Sequence, residues 1–302
     1  MKKIITAQTF KDIKRNRSLY LFVAPYMLIF FAFMLLPVII SIFYSFTYFN
    51  ILEPPKFVGL DNYLRLFLDD EVFLTSVRNT FILAVISGPL SYILCLIFAW
   101  FINELPPKIR SLVTLVFYAP SISGNIYLMW KIIFAGDSYG YANGILLKLG
   151  LIDSPITWLQ NPKYMMMIII VVVLWSSLGV SFLSFIAGFQ GVDKTQFEAA
   201  AVDGITNRWQ ELWYITLPNI KAQLMFGAVM NISSAYGIGS VTKELCGFPS
   251  RDYAVHTVVN HLEDYGVTRF EMGYACAIAS ILFLMMFGTN LLVRRLLRKV
   301  GT

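Results

Sequence analysis

The sequence predicts an all-α, polytopic integral membrane protein with six transmembrane helices, and three observations carry that prediction. Hydrophobic residues make up 57% of the 302 residues and charged residues only 14%, with a mean hydropathy of +0.66. A soluble domain carries about a quarter of its residues as charges. Six runs are long and apolar enough to cross a hydrocarbon core about 30 Å thick, which takes about 20 helical residues. Basic residues gather at both ends of the chain, before the first run and after the last.

The expected spans are residues 19–47, 73–102, 112–134, 164–190, 220–240 and 272–293, in a single transmembrane domain covering 1–302. The first follows a basic stretch, as a signal peptide does. It is too long for one, contains Pro25 and Pro37 and lacks a small-residue cleavage site, so it is expected to stay as an anchor.

Orientation follows from counting. With the N-terminus cytoplasmic, the inner segments hold 15 Lys or Arg and the outer segments seven, the asymmetry of the positive-inside rule. Both termini and the segment 191–218 are therefore expected in the cytoplasm. The net charge of +6 is then a topological signal and points to lipid headgroups rather than nucleic acid.

Among the outer connections, 48–72 should form a short interfacial helix after a turn at Gly59, 135–163 an ordered loop, and 241–271 a strongly bent loop with a helical piece. His256 and His261 lie in the last of these. They are five residues apart, on different faces of any helix, so they are expected as solvated loop histidines and no metal site is assigned. Cys95, Cys246 and Cys276 form neither an even framework nor a C-x-x-C pair.

No phosphate loop, H-E-x-x-H or G-x-S-x-G motif is present, so neither ATP chemistry nor hydrolysis is expected of this chain. Apart from Lys221 at the very start of its run, the spans hold only Arg78 and Lys131, both near span ends. An ion-coupled carrier needs buried charge at mid-membrane, and that class is disfavoured.

Polar residues do occur within the spans. The stretch YAPSISGNIYLMW holds Ser121, Ser123, Asn125 and Tyr127 beside Pro120 and Gly124, which loosen a helix. LWSSLG holds Trp175, Ser176 and Ser177, and MNISSAYGIG holds Asn231, Ser233, Ser234 and Tyr236. Neutral hydrogen-bonders beside aromatics suit an uncharged, hydroxylated ligand. The competing reading is that they pack and glue helices. Trp175, Ser177, Asn231, Ser233, Ser234, Tyr236, Asn125 and Tyr127 are the candidate lining of a substrate pathway.

Between the fourth and fifth runs stands FEAAAVDG, Phe197 to Gly204. Asp193 can cap a helix there, with Gln196 three places on, and Gly204 can end it in the left-handed conformation. A second helix can start from Asn207, with Gln210 reaching back. Phe197, Ala200 and Ala201 fall on one face of the first helix, and Trp209, Leu212 and Trp213 on one face of the second.

The sequence Glu198-Ala-Ala-Ala-Val-Asp-Gly204, followed by Ile215-Thr-Leu-Pro218, resembles the coupling-loop signature of permease subunits from bacterial ATP-binding-cassette importers. LFVAPYMLIFFAFMLLPVIISIFYSFTYFN, FVGLDNYLRLF, NTFIL and FEMGYACAIA resemble parts of the carbohydrate-import permeases of the maltose and glycerol-phosphate type. The resemblance implies that Glu198, Ala199, Ala200, Asp203 and Gly204 engage an ATPase. It implies a second homologous permease, two ATP-binding subunits holding ATP and Mg, an extracellular solute-binding protein and a carbohydrate substrate, likewise an oligosaccharide, in the bacterial cytoplasmic membrane. This chain itself would hold no cofactor and be no enzyme. The alternatives are import of a non-sugar solute or ion-coupled carriage. Two departures from the signature stand out: Ile205 replaces the usual alanine, and the interval from Gly204 to Ile215 is one residue longer than is common.

Overall fold

The computed structural model describes residues 15–124 and 126–297. Four helices among them are long and apolar enough to span a membrane: Arg17–Tyr44 (α1), Glu71–Asn103 (α2), Pro162–Gln190 and Met272–Leu296. Two bent pairs complete the set. Pro107–Ile122 (α3) turns by 84° into Ile126–Ile133 (α4), and Lys221–Tyr236 turns by 41° into Gly239–Cys246. The described residues thus hold four spans, or six when each bent pair counts as one.

The helix Pro162–Gln190 is itself interrupted. Its halves are Pro162–Ser176 (α5) and Val180–Gln190 (α6), separated at Gly179, whose φ of −103° and ψ of −134° lie outside the helical region. After α6 come the short helices Lys194–Val202 (α7) and Arg208–Glu211 (α8). Lys221–Tyr236 and Gly239–Cys246 are α9 and α10, Val258–Glu263 is α11, and Met272–Leu297 is α12.

α2 is the mast of the bundle: at 1.5 Å rise per residue its 33 residues reach about 50 Å. Near its Asn103 end it packs with α6 and α9 through Cys95, Phe182, Phe185, Ile220 and Leu224. Gly227 makes this approach possible, because a Cβ there would lie 2.5 Å from the Phe185 ring. Higher on α2, Leu83 joins Met165, Ile169 and Val172 of α5 and Val241 and Leu245 of α10. α1 meets α12 through its Leu36–Tyr44 half, while its most apolar stretch is unburied within the chain. A π-turn at Phe31–Leu35 precedes Pro37, which cannot donate the backbone bond that would continue the regular ladder.

The connections at the Asp70 end of α2 are ordered. Strands β1 (Thr47–Tyr48) and β2 (Lys56–Phe57) form a small antiparallel hairpin. Gly59, at φ +62°, then turns the chain into the expected helix, Asp61–Leu64, and the buried Asn62 amide donates to the carbonyls of Ser45 and Thr47. Residues 135–163 are organised around Asn143, which is fully buried in the short helix Tyr141–Lys148. Its amide nitrogen bonds the carbonyls of Ala135, Asp137 and Ile156, and its oxygen accepts from the Ile156 N–H and the Trp158 indole.

Asn143→Ala strands several of these buried groups at about 1–3 kcal/mol each. We expect it to melt this loop locally, seen as a red shift of Trp158 emission in a background where the other tryptophans are replaced by phenylalanine. An unchanged spectrum would count against the loop depending on Asn143.

The two histidines correct the sequence reading. Both are buried, His256 at 3% and His261 at 2% exposure, because 247–271 folds back onto α2 and α12 instead of reaching into solvent. Asp70 caps α2 by accepting from the Phe73 N–H at 2.8 Å. Its other oxygen lies 2.9 Å from His261 Nε2 and accepts from the Tyr274 hydroxyl at 2.7 Å. Burial works to raise the pKa of the Asp70 carboxyl, but the bonds from His261, Tyr274 and Phe73 overcome it and hold the group well below the usual carboxylate range.

His256 is pushed down to about 4, chiefly by burial and then by His261, against the opposing pull of Asp264 and Asp70. Between its ordinary 6.5 and that lowered value the unfolded chain binds the extra proton, so stability rises with pH. The contribution of neutral His256 is complete above about 6.5 and is lost as pH falls towards 4. Hydrogen exchange across 247–265 should therefore accelerate from pH 7 to pH 4.5 beyond the solvent correction; equal protection at both would refute the assignment.

Candidate functional site

Two regions carry the candidate residues, and the first is the capped corner between α6 and α9. Asp193 accepts from the Thr195 N–H and Asn207 from the Trp209 N–H, both at 3.0 Å, so both expected caps form. Gly204 has φ +90°. Its N–H bonds the Ala201 carbonyl and the Ile205 N–H the Ala200 carbonyl, the double closure of a Schellman motif. An apolar residue is favoured at the second of those positions, which accounts for Ile205.

The reciprocal capping bonds are absent among the described residues. Gln196 instead accepts from the Asn219 amide at 2.6 Å, tying α7 to the start of α9. Gln210 makes no return bond to Asn207; its neighbour Arg208 pairs with Glu211 at 2.7 Å and Glu104 at 3.3 Å. The expected faces also change. Ala200 and Leu212 are buried and Phe197 is half-buried, but Ala201, Trp209 and Trp213 are exposed. In the second helix the π-turn Leu212–Thr216, directly after the four residues of α8, breaks the 3.6-residue period. Trp209 packs on Trp100 with ring centroids 4.8 Å apart. Glu198, Ala199, Asp203 and Gly204 lie exposed together around the corner.

The second region is a cavity of about 540 Å³ where the helices are interrupted. α3 ends in extended backbone at Ser123 (φ −82°, ψ 117°), α5 breaks from α6 at Gly179, and α9 breaks from α10 at Gly237. Irregular backbone at membrane depth persists where it lines a wet cavity. Tyr127, Ser177, Asn231 and Ser234 lie on its wall. Asn125 is outside the described residues.

Trp175, Ser233 and Tyr236 lie off this wall. Trp175 packs edge-on against Trp130, and Ser233 donates to the Val229 carbonyl. The Tyr236 hydroxyl bonds Thr289 at 2.7 Å, joining α9 to α12 beside a separate, apolar cavity of about 360 Å³.

Sequence reasoning missed Ser87, Ser91, Tyr118, Ser181 and Ser240, which also line the polar cavity. Ser87 and Ser91 sit four apart on α2, one face of a helix, and that spacing was the available signal. Most of the wall serines donate to backbone carbonyls: Ser87 to Leu83, Ser121 to Tyr118, Ser176 to Val172, Ser177 to Leu174 and Ser181 to Gly227. Their lone pairs are left for a ligand that brings its own hydroxyl protons. No Asp, Glu, Lys, Arg or His is on the wall among the described residues.

A polar, uncharged cavity framed by interrupted helices inside an apolar bundle defines the chain as a membrane permease, a multi-pass protein that conducts a solute. It belongs to the family of binding-protein-dependent transport system inner membrane components, matched over residues 107–302. It is 32% identical over 275 residues to the probable ABC transporter permease protein YesP of Bacillus subtilis, across 89% of this chain and 86% of that one. It is 30% identical over 286 residues to the arabinooligosaccharides transport system permease protein AraP of Bacillus subtilis, across 92% and 87%. The lactose transport system permease protein LacF of Rhizobium radiobacter is 30% identical over 275 residues, across 88% and 89%.

In fold, the chain is similar to one in the crystal structure of a bacterial ABC transporter involved in the import of the acidic polysaccharide alginate. The TM-score is 0.78 at 24% identity, across 98% of this chain and all of that one.

Proposed function

We propose that this chain is one of two permeases forming the path of an ATP-driven oligosaccharide importer. It spans the membrane six times, with both termini and the segment 191–218 in the cytoplasm. The observation that carries the substrate class is the uncharged cavity whose serine oxygens await donors. The names of AraP and LacF, an arabinooligosaccharide and a lactose permease, support the same class.

In this reading a solute-binding protein delivers the saccharide outside. Two ATPase subunits, holding ATP and Mg, grip the exposed Glu198, Ala199, Asp203 and Gly204 with the buried Ala200 behind them. The cavity stays near the midplane while the walls rock.

The test is uptake of labelled arabinotriose and lactose into proteoliposomes holding the assembled transporter, its binding protein and internal ATP. ATP-dependent accumulation is expected; ATP-independent uptake, or none of either sugar or of the native extract from which the binding protein is loaded, would overturn the reading. The triple variant Ser177→Ala, Asn231→Ala and Ser234→Ala should reduce uptake at least about tenfold, since each lost bond is worth about 0.5–1.5 kcal/mol. Trp175→Phe, off the wall, should leave it near normal. Equal effects of the two changes would place the path elsewhere.

A further inference from the structure

The segment FVGLDNYLRLF, residues 57–67, takes no part in the polar cavity. Asp61–Leu64 and the π-turn Arg65–Asp69 run on as one short helix, and its inward side chains fix where it lies. The Asn62 amide holds the carbonyls of Ser45 and Thr47, and the Tyr63 hydroxyl donates to Ser45 Oγ at 2.7 Å, all directly after the end of α1. Arg65 pairs at 2.6 Å with Glu271, the residue before α12 begins. Leu66 packs with Phe73 near the start of α2 and with Tyr274 and Ile278 of α12. Three spans end at this helix, so it lies at the level of their ends.

The face turned away from these contacts is apolar. Leu60, Leu64, Phe67 and Leu68 are all exposed, Leu68 by 75%, at the i, i+4, i+7, i+8 spacing of one helical face. Phe57, just before the Gly59 turn, is exposed beside them in sequence. An uncovered patch of large apolar side chains marks a contact surface. Its continuation says what covers it. Ile42 and Phe43 are exposed at the end of α1, and Leu74 and Phe81 are exposed on α2, so the stripe joins the outward surfaces of two helices apolar enough to cross a membrane. Arg65 is drawn off the stripe, paired with Glu271 and lying 4.2 Å from the Tyr274 ring centre.

We propose that Leu60, Leu64, Phe67 and Leu68, with Phe57, are immersed in the outer leaflet, making this helix a lipid anchor that holds the ends of α1, α2 and α12 at one depth. Only the choice of the outer leaflet rests on the orientation proposed above. The contact is with acyl chains and needs no anionic headgroup, since Lys56 and Arg65 are already paired with Glu53 and Glu271. A helix of this kind lies along the interface with its apolar side chains below the headgroups.

The experiment uses the unaltered transporter, assembled without its solute-binding protein in phosphatidylcholine liposomes that contain a diazirine-bearing acyl chain. After irradiation, lipid adducts are mapped by mass spectrometry. Adducts are expected on residues 57–68 as well as on the apolar stretch of α1. Adducts on α1 with none on 57–68 would overturn the anchor. The double variant Leu64→Glu and Leu68→Glu should lose the adducts on 57–68 several-fold and keep those on α1; undiminished labelling would place the lipid contact elsewhere.

A nitroxide on Leu68→Cys, in a chain with Cys95, Cys246 and Cys276 replaced by alanine, gives the depth directly. It should sit about 5–10 Å below the headgroup surface, reached by oxygen and shielded from an aqueous nickel complex. A nitroxide open to nickel until the solute-binding protein is added would overturn the proposal and give this face to that protein. Lipid contact is read without any transported solute, so the anchor can fail while the importer reading stands, and the importer reading can fail in the uptake assay while the anchor stands.

Discussion

Gly204→Pro will reduce ATP-driven uptake at least about tenfold while leaving the chain inserted in the membrane, because it acts on a conformation that only glycine adopts cheaply. At φ +90° proline, fixed near −65°, cannot follow the native path. It also lacks the N–H that bonds the Ala201 carbonyl. The Schellman closure opens, and the exposed group of Glu198, Ala199 and Asp203 loses its fixed relation to α8. In the proposed assembly this corner is the ATPase contact, so hydrolysis should continue while uptake falls.

Gly204→Ala, which keeps the N–H, should have an intermediate effect. The measurement is uptake and ATPase rate on the same proteoliposomes. Normal uptake by the proline variant would remove the corner from the coupling path.

Asp70→Ala is expected to cost about 3–5 kcal/mol, the usual penalty for breaking a buried, hydrogen-bonded pair from one side. It removes the cap of α2 and leaves the His261 and Tyr274 donors buried without their acceptor. Asp70→Asn should recover part of this, since an amide oxygen still accepts. Thermal unfolding of the purified protein in nanodiscs, with limited proteolysis of 247–271, distinguishes the cases. A melting temperature within a degree of the parent would show that the cluster is dispensable.

The apolar runs and the caps at Asp193, Gly204 and Asn207 were legible in the sequence because each depends on residues close together in the chain. So was the break beside Pro120 and Gly124, which loosen a helix locally; the breaks at Gly179 and Gly237 were not read, and 164–190 and 220–240 were expected as unbroken spans. The burial of His256 and His261 was not legible: Asp70, the partner of His261, lies almost two hundred positions away, the His256 carbonyl is held by the similarly distant Asn79, and no local pattern marks such pairings. The cavity serines on α2 were missed because their four-residue spacing, the one signal Ser87 and Ser91 offer, is shared by serines that merely pack helices. The faces of the 191–218 segment were misread at Trp209 and Trp213 because a π-turn cannot be read from a 3.6-residue period.

The unbroken run of α2 has a mechanical consequence. Pro89 is the one residue inside it that cannot donate to the hydrogen-bond ladder, and it sits between Ser87 and Ser91 on the cavity wall, roughly midway between Asp70 and Asn103. A rod pivoting there is a lever with its fulcrum at the cavity. A tilt of about 5° displaces each end, about 20–27 Å away at 1.5 Å per residue, by about 2 Å in opposite directions. The atoms beside the fulcrum hardly move.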